Sequence, residues 1–195
     1  NGHEFISSPY TIMKVNEAST WQSLSEGGRR IYGLGDMNCG VEGDTIGLCS
    51  QSSAEVLNFG GYLYNWYVVA EGSNVCPNGW HAPDNDAFDE LLEHAENLSA
   101  GLSGLKSTEG WVEGSEGSNQ TGFRAIGSGY GGNLGNFSSD GHFTGFWSAN
   151  ASSGTNAHHL QIDERPNSAP TGGVFINGNN KKYALSIRCI KDTEQ

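Results

Sequence analysis

Residues 76–97 read CPNGWHAPDNDAFDELLEHAEN, and the second half of this stretch fixes one element firmly. Phe88, Leu91, Leu92 and Ala95 fall at i, i+3, i+4 and i+7, a single apolar stripe of helical period. Asp84, just after Pro83, supplies an N-cap, and Asp86 puts a negative charge in the first turn, where the helix dipole favours it. The spacing predicts a helix over residues 84–97. Upstream, residues 61–70 (GYLYNWYVVA) are ambiguous, because aromatic and β-branched residues favour a strand while periodicity alone does not exclude a buried helix. Downstream, short apolar patches alternate with Gly/Ser/Asn turns at residues 122–126, 143–149, 158–162, 174–176 and 184–190. That rhythm predicts an irregular antiparallel sheet with long loops. Helices first and strands afterwards give the class α+β.

Toward the N-terminus, Phe5, Ile6, Tyr10, Ile12 and Val15 suggest one or two strands. Residues 18–26, with Trp21 and Leu24, suggest a short helix, and residues 36–58 read as a loop. No linker or repeat separates a second domain. Residues 1–54 are taken as N-terminal strands and a cysteine-bearing loop of the same domain that residues 55–195 form.

Composition narrows the function. Gly contributes 29 of 195 residues, about twice ordinary usage. Five Trp, seven Tyr and eight Phe promise an aromatic core that a disordered acidic chain would lack. Net charge is −12, with only 10 Lys and Arg. Nucleic acid is therefore disfavoured as a partner, since phosphate binding needs clustered cations, and so is attraction to anionic lipid. No apolar run of 18 residues exists, so no membrane insertion is expected. The chain opens on Asn1 rather than Met, which fits a removed leader or a late start.

The four cysteines, Cys39, Cys49, Cys76 and Cys189, form no C-x-x-C pair and have no histidine at zinc spacing. Three pairings are open. Cys39 with Cys49 would close a Gly-rich loop; Cys76 with Cys189 would tie the middle of the chain to its end. Disulfides imply an oxidising compartment and hence a secreted or cell-surface location.

Residues 63–66 (LYNW), 76–83 (CPNGWHAP), 121–123 (TGF), 146–148 (FWS) and 186–192 (SIRCIKD) occur in an order that resembles the Fibrobacter succinogenes major paralogous domain, found in secreted proteins of Bacteroidota and related bacteria. The resemblance covers roughly residues 55–192. It implies a relation to the sulfatase-modifying-factor group and a C-type-lectin-like fold, two helices packed on an irregular antiparallel sheet. By that analogy residues 61–70 become the first helix, and Cys76 pairs with Cys189. Asp84 stands where the family usually has Thr, and Phe88 where it usually has Trp. The family's N-terminal Trp-x-x-Glu-Asn-Leu segment is not found before Trp21.

A catalytic set does not assemble from the sequence. The histidines are His3, His81, His94, His142, His158 and His159; no G-x-S-x-G elbow occurs, and no helical pair of histidines suits iron. The expectation is that the chain is not an enzyme, and an oxidative enzyme on the same fold is the least favoured reading. His81, Trp80 and Trp66 read as packed side chains. No metal ligands are assigned. A structural calcium is the one cofactor considered: Asp84, Asn85, Asp86 and Asp89 suggest a ligand ladder, but Asp89 and Ala95 stand where an EF-hand needs Gly and Glu. The lectin sugar signatures are absent too, Arg165-Pro166-Asn167 lacking its acidic first residue.

The best binding candidates lie late in the chain. Trp147, Asn150, His158, His159 and Gln161, with Asn179 and Asn180, offer mixed donors, acceptors and a stacking surface suited to carbohydrate or a polar protein patch. His158 and His159 should point to opposite faces of a strand, so one at most faces any given site. Sequons at Asn97, Asn119, Asn136 and Asn150 are read as chance matches in an Asn/Ser-rich chain. The expected function is a non-catalytic extracellular binding module, adhesin or lectin-like. The alternative is a structural subunit of a filament or matrix, in which residues 1–20 are donated to a neighbour's sheet edge.

Overall fold

The computed structural model describes residues 5–7, 15, 17–31, 59–70, 75–164 and 174–193. The long helix forms where its stripe demands. Helix α3 (Asn85–Glu96) buries Phe88, Leu91 and Ala95 and half-buries Leu92, and Asp84 Oδ1 accepts the Ala87 amide at 2.9 Å. Among the described residues the shorter helices α1 (Ala18–Ser23) and α2 (Tyr67–Ala70) precede it, and a 3₁₀ turn follows at Gly101–Leu105.

The strands make several small antiparallel sheets. Strand β1 (Phe5–Ser7) lies on β10 (Arg188–Lys191), which also pairs with β4 (Trp80–His81). Strands β2 (Arg29–Arg30) and β3 (Leu63–Tyr64) pair, as do β5 (Ser128–Gly131) and β6 (Phe137–Asp140). The largest ladder is β7 (Phe143–Ala151), β8 (Asn156–Asp163) and β9 (Val174–Asn180) in that order. The protein is thus a mixed helix-and-sheet fold with few helices and antiparallel pairing.

Strand β7 divides the core because successive side chains point to opposite faces. Phe146 joins Leu160 and Ile162 against Phe88 and Leu91 of α3, whereas Trp147 packs with Tyr64, Trp66 and Leu185 on the other side. Sheet faces buried on both sides explain why short strands suffice. Cys76 and Cys189 form a disulfide with Cα atoms 5.7 Å apart, beside the two-pair ladder Ile190↔His81 and Lys191↔Trp80. Such a bridge fits a non-cytoplasmic protein. No described helix is long and apolar enough to cross a membrane.

Several expectations are corrected. Residues 61–70 are not one helix: Leu63–Tyr64 is a strand, and only Tyr67–Ala70 is helical. Tyr64 exchanges backbone hydrogen bonds with Leu185, and the Trp66 amide donates to the Lys181 carbonyl at 2.9 Å, so tertiary pairing claims the segment before helix can propagate. Residues 122–126 form no strand; Arg124 has φ 53°, and only Ala125 makes an isolated parallel bridge, to Lys106. The β5–β6 hairpin was missed, its strands being rich in Gly and Ser rather than β-branched residues. Cys39, Cys49, Tyr10, Ile12 and the loop at residues 36–58 lie outside the described residues.

Lys106 is an unforeseen buried cation. Its Nζ donates to the Glu164 carbonyl at 3.0 Å and lies 3.9 Å from the Trp111 ring centroid. Burial lowers its pKa to about 8, against the pull of Asp163, Glu164 and Glu116. The folded state therefore disfavours the ammonium, so this position costs stability below pH ~8 and recovers it as pH rises toward ~10.5. Lys106→Met should raise stability at pH 7 by ~1–2 kcal/mol, with a gain that shrinks in alkaline buffer; thermal unfolding across pH checks it.

Candidate functional site

The β7–β8–β9 ladder separates the predicted binding residues by face. Register pairs Trp147 with His159 and His159 with Asn177, and Gly145 with Gln161. Phe143, Gly145, Trp147, Ala157, His159, Gln161, Asn177 and Asn179 therefore share the face away from α3, and His158 shares the other with Leu160 and Ile162.

On the helix side, His158 ends in a closed polar network. A register shift between Trp147 and Ala151 re-aims Asn150 toward the start of α3. There Asn150 Oδ1 accepts the Asn85 amide at 2.7 Å, and Ser148 Oγ donates to Asn85 Oδ1 at 2.7 Å. Asn85 Nδ2 donates in turn to His158 Nδ1, which leaves the His158 proton on Nε2. These bonds link Asn85, Ser148, Asn150 and His158, so the network anchors the helix to the sheet. It satisfies the Asn85 amide as a cap would.

On the far side, Trp147 and His159 do not reach solvent. Trp147 is fully buried, and its Nε1 donates to the Tyr64 carbonyl at 2.7 Å. His159 is also fully buried, with neither ring nitrogen bonded. Both belong to the core rather than to a ligand-facing surface. On this face Phe143, Gln161, Asp163 and Asn179 are half-buried and Asn177 is exposed, while Asn180 lies on the opposite face. Asn177 Nδ2 donates to Gln161 Oε1 at 3.0 Å; Asn179 Oδ1 accepts the Asn180 amide and Asn180 Oδ1 the Lys182 amide, at 3.2 and 2.9 Å.

Beside the amides stands an aromatic group that sequence reasoning missed. Tyr130 and Tyr183 stack with centroids 5.7 Å apart and planes at 16°, and Phe143 meets Tyr130 edge-on at 5.4 Å. All three are half-buried. Phe143 and Gln161 are diagonal neighbours on one sheet face, so rings and amides adjoin. The signal lay in two lone tyrosines, 53 residues apart, that only the isolated bridge Gly131↔Ala184 brings together. No periodicity announces such a pair.

His81 departs from its expected packing. It is exposed, with Nδ1 2.6 Å from Asp192 Oδ1. Among the described residues no group of three or more His, Cys, Asp or Glu is placed to hold a metal ion, and Asp84 is engaged as a helix cap.

The model of the Fibrobacter succinogenes major domain matches residues 11–191 of this chain. The chain belongs to that family. No curated protein and no solved structure matches it. In this member of the Fibrobacter succinogenes major domain family, the stretches that carried the resemblance build the scaffold. Asn65 is fully buried, its Oδ1 accepting the Gly28 amide at 3.0 Å and its Nδ2 donating to the Glu26 carbonyl at 2.8 Å. Trp66 Nε1 donates to the Ser148 carbonyl at 2.9 Å, and Thr121 Oγ1 to the Gly104 carbonyl at 2.9 Å. Cys76 and Cys189 carry the bridge. The family motifs thus hold loops to the core, while the aromatic and amide face lies largely outside them.

Proposed function

We propose that this domain is a non-catalytic extracellular binding module of C-type-lectin-like architecture, taking carbohydrate at the solvent-reaching margin of the β7–β8–β9 sheet, where Tyr130, Tyr183 and Phe143 adjoin Gln161 and Asn177. The observation that carries the reading is the adjacency of the Tyr130–Tyr183–Phe143 group to the Gln161–Asn177 amide pair. Sugars present apolar C–H faces and a rim of hydroxyls, and this combination answers both, rings for the first and amides for the second. The long disulfide and the acidic surface are consistent with a secreted or cell-surface setting.

Affinity electrophoresis of the full chain through a panel of neutral and acidic polysaccharides tests the proposal. Tyr183→Ala and Gln161→Ala should each weaken binding roughly tenfold or more, as hot-spot contacts do, with little loss of stability. Retention by no polysaccharide, or retention that both variants leave unchanged, would refute it.

A second reading, a filament or matrix subunit, draws on one feature. Strand β1 pairs antiparallel with β10 over only Phe5↔Ile190, Ile6↔Cys189 and Ser7↔Arg188, a pairing that a neighbour's N-terminal segment could reproduce. Light scattering at high protein concentration separates the two readings, since a clean monomer removes the second.

A further inference from the structure

One buried group has no task in the binding reading. His159 is completely enclosed, yet neither Nδ1 nor Nε2 has a hydrogen-bond partner. An imidazole with two unpaired nitrogens in the core is costly, roughly 1–3 kcal/mol for each unsatisfied polar atom. Its ring neighbours on β7 are apolar. From β7, the Trp147 ring meets it edge-on with centroids 5.8 Å apart, and Phe143 lies at 6.4 Å. Gly145 leaves it room, because a Cβ there would sit 3.1 Å from His159 Cδ2 and 3.1 Å from Leu185 Cδ2. Across β9 its register partner is Asn177, whose amide is engaged with Gln161. Among these neighbours on β7, β9 and the Leu185 segment none is ionisable; the titratable group that acts on it is His158 on its own strand.

We infer that His159 is an acid-sensitive switch in the β7–β8–β9 sheet: neutral, it fills the core beneath the aromatic group, and protonated, it cannot stay there. A cation in that position would have no hydrogen-bond acceptor and no counter-charge among the described neighbours, so the sheet must open to hydrate it. Phe143 neighbours both His159 and Tyr130, and Tyr130 stacks on Tyr183, so opening disturbs the aromatic group directly. That consequence for ligand release rests on the binding reading above; the switch itself does not.

The electrostatics agree in direction. Burial, with His158 nearby adding to it, lowers the His159 pKa from 6.5 to about 4. The folded pKa is below the unfolded one, so the contribution is fully present above pH ~6.5 and is lost progressively as pH falls toward ~4. The full gap corresponds to roughly 300-fold in the folding equilibrium, of which about 20–30-fold falls between pH ~7 and ~5.

Urea unfolding of the full chain, with its disulfide intact, measures this at several pH values between about 7 and about 4.5. The chain also holds the ion pairs His142–Glu164 and His81–Asp192, so the comparison is with His159→Phe, which keeps them. Wild type should lose about 20–30-fold more folding equilibrium than His159→Phe between pH ~7 and ~5. Should the variant not fold, histidine NMR on wild type gives the same information: the His159 ring should remain neutral near pH ~5 for as long as the chain is folded. Superimposable pH profiles for the two proteins, or a folded-state His159 that titrates near 6.5, would overturn the switch. A polysaccharide panel without a ligand would remove the release step and leave the stability result standing.

Discussion

Opening the Cys76–Cys189 bridge is expected to lower the stability of this domain by ~4–5 kcal/mol, the largest single effect in the molecule. The two cysteines are 113 residues apart in sequence, and in the chain-entropy model a loop of that size restricts the unfolded ensemble by about that amount. Local geometry magnifies the dependence. Next to the bridge, β4 and β10 share only two residue pairs, and β10 is the strand on which β1 also lies. Without the covalent tie, the two-pair β4–β10 ladder and the packing of the surrounding core must hold the ends of a very long loop together. Cys189 is fully buried and Cys76 nearly so, hence the Cys76→Ala/Cys189→Ala double variant also leaves a small gap. With a urea slope of ~2–3 kcal/mol per molar, the unfolding midpoint should fall by ~1.5–2.5 M, and wild type in reductant should behave like the variant. A midpoint shift below ~0.5 M would mean that the sheet is held by packing and that the bridge is dispensable.

What the sequence discloses about this fold follows the range of the interaction concerned. Helix α3 was legible because its stripe and its Asp84 cap lie within one short window. The strands β7 and β8 were legible because their apolar patches at residues 143–149 and 158–162 are local as well. The cysteine pairing was legible only through the resemblance, since four cysteines permit three connectivities and spacing does not choose among them. The error at residues 61–70 has the opposite cause: Tyr64 is committed to Leu185, more than a hundred residues away, and no local pattern encodes that.

The binding candidates show the same limit. Residue type drew attention to the late strands, and the prediction that His158 and His159 point apart holds, one bonded to Asn85 and the other enclosed beside Trp147. Residue type could not tell which side of the sheet is covered. Trp147 and His159 face a second core made by Tyr64, Trp66 and Leu185, elements from two distant parts of the chain. Conversely, Tyr130 and Tyr183 gain meaning only as a stacked pair. A site built from tertiary neighbours is visible once the chain is folded, and the scaffold that presents it does not by itself name the ligand.

Trp147 offers the sharpest division between a core residue and a ligand contact. Truncation to alanine should cost ~3–5 kcal/mol, because it removes a fully buried indole from among Tyr64, Trp66, Leu185 and His159 and leaves a cavity that both sheet faces are too constrained to close. Trp147→Phe should be much milder, about 1–2 kcal/mol. The hydrogen bond it deletes runs to the Tyr64 carbonyl, which keeps a second donor, the Leu185 amide at 2.9 Å, and so is not orphaned. A ligand-stacking tryptophan would give the reverse pattern, with near-normal stability, lost binding, and phenylalanine only partly replacing it. Urea unfolding and polysaccharide retention measured on both variants decide between the two. If Trp147→Ala unfolds within ~1 kcal/mol of wild type, the indole is not the keystone of the second core, and the sheet face it occupies must be open to solvent and ligand after all.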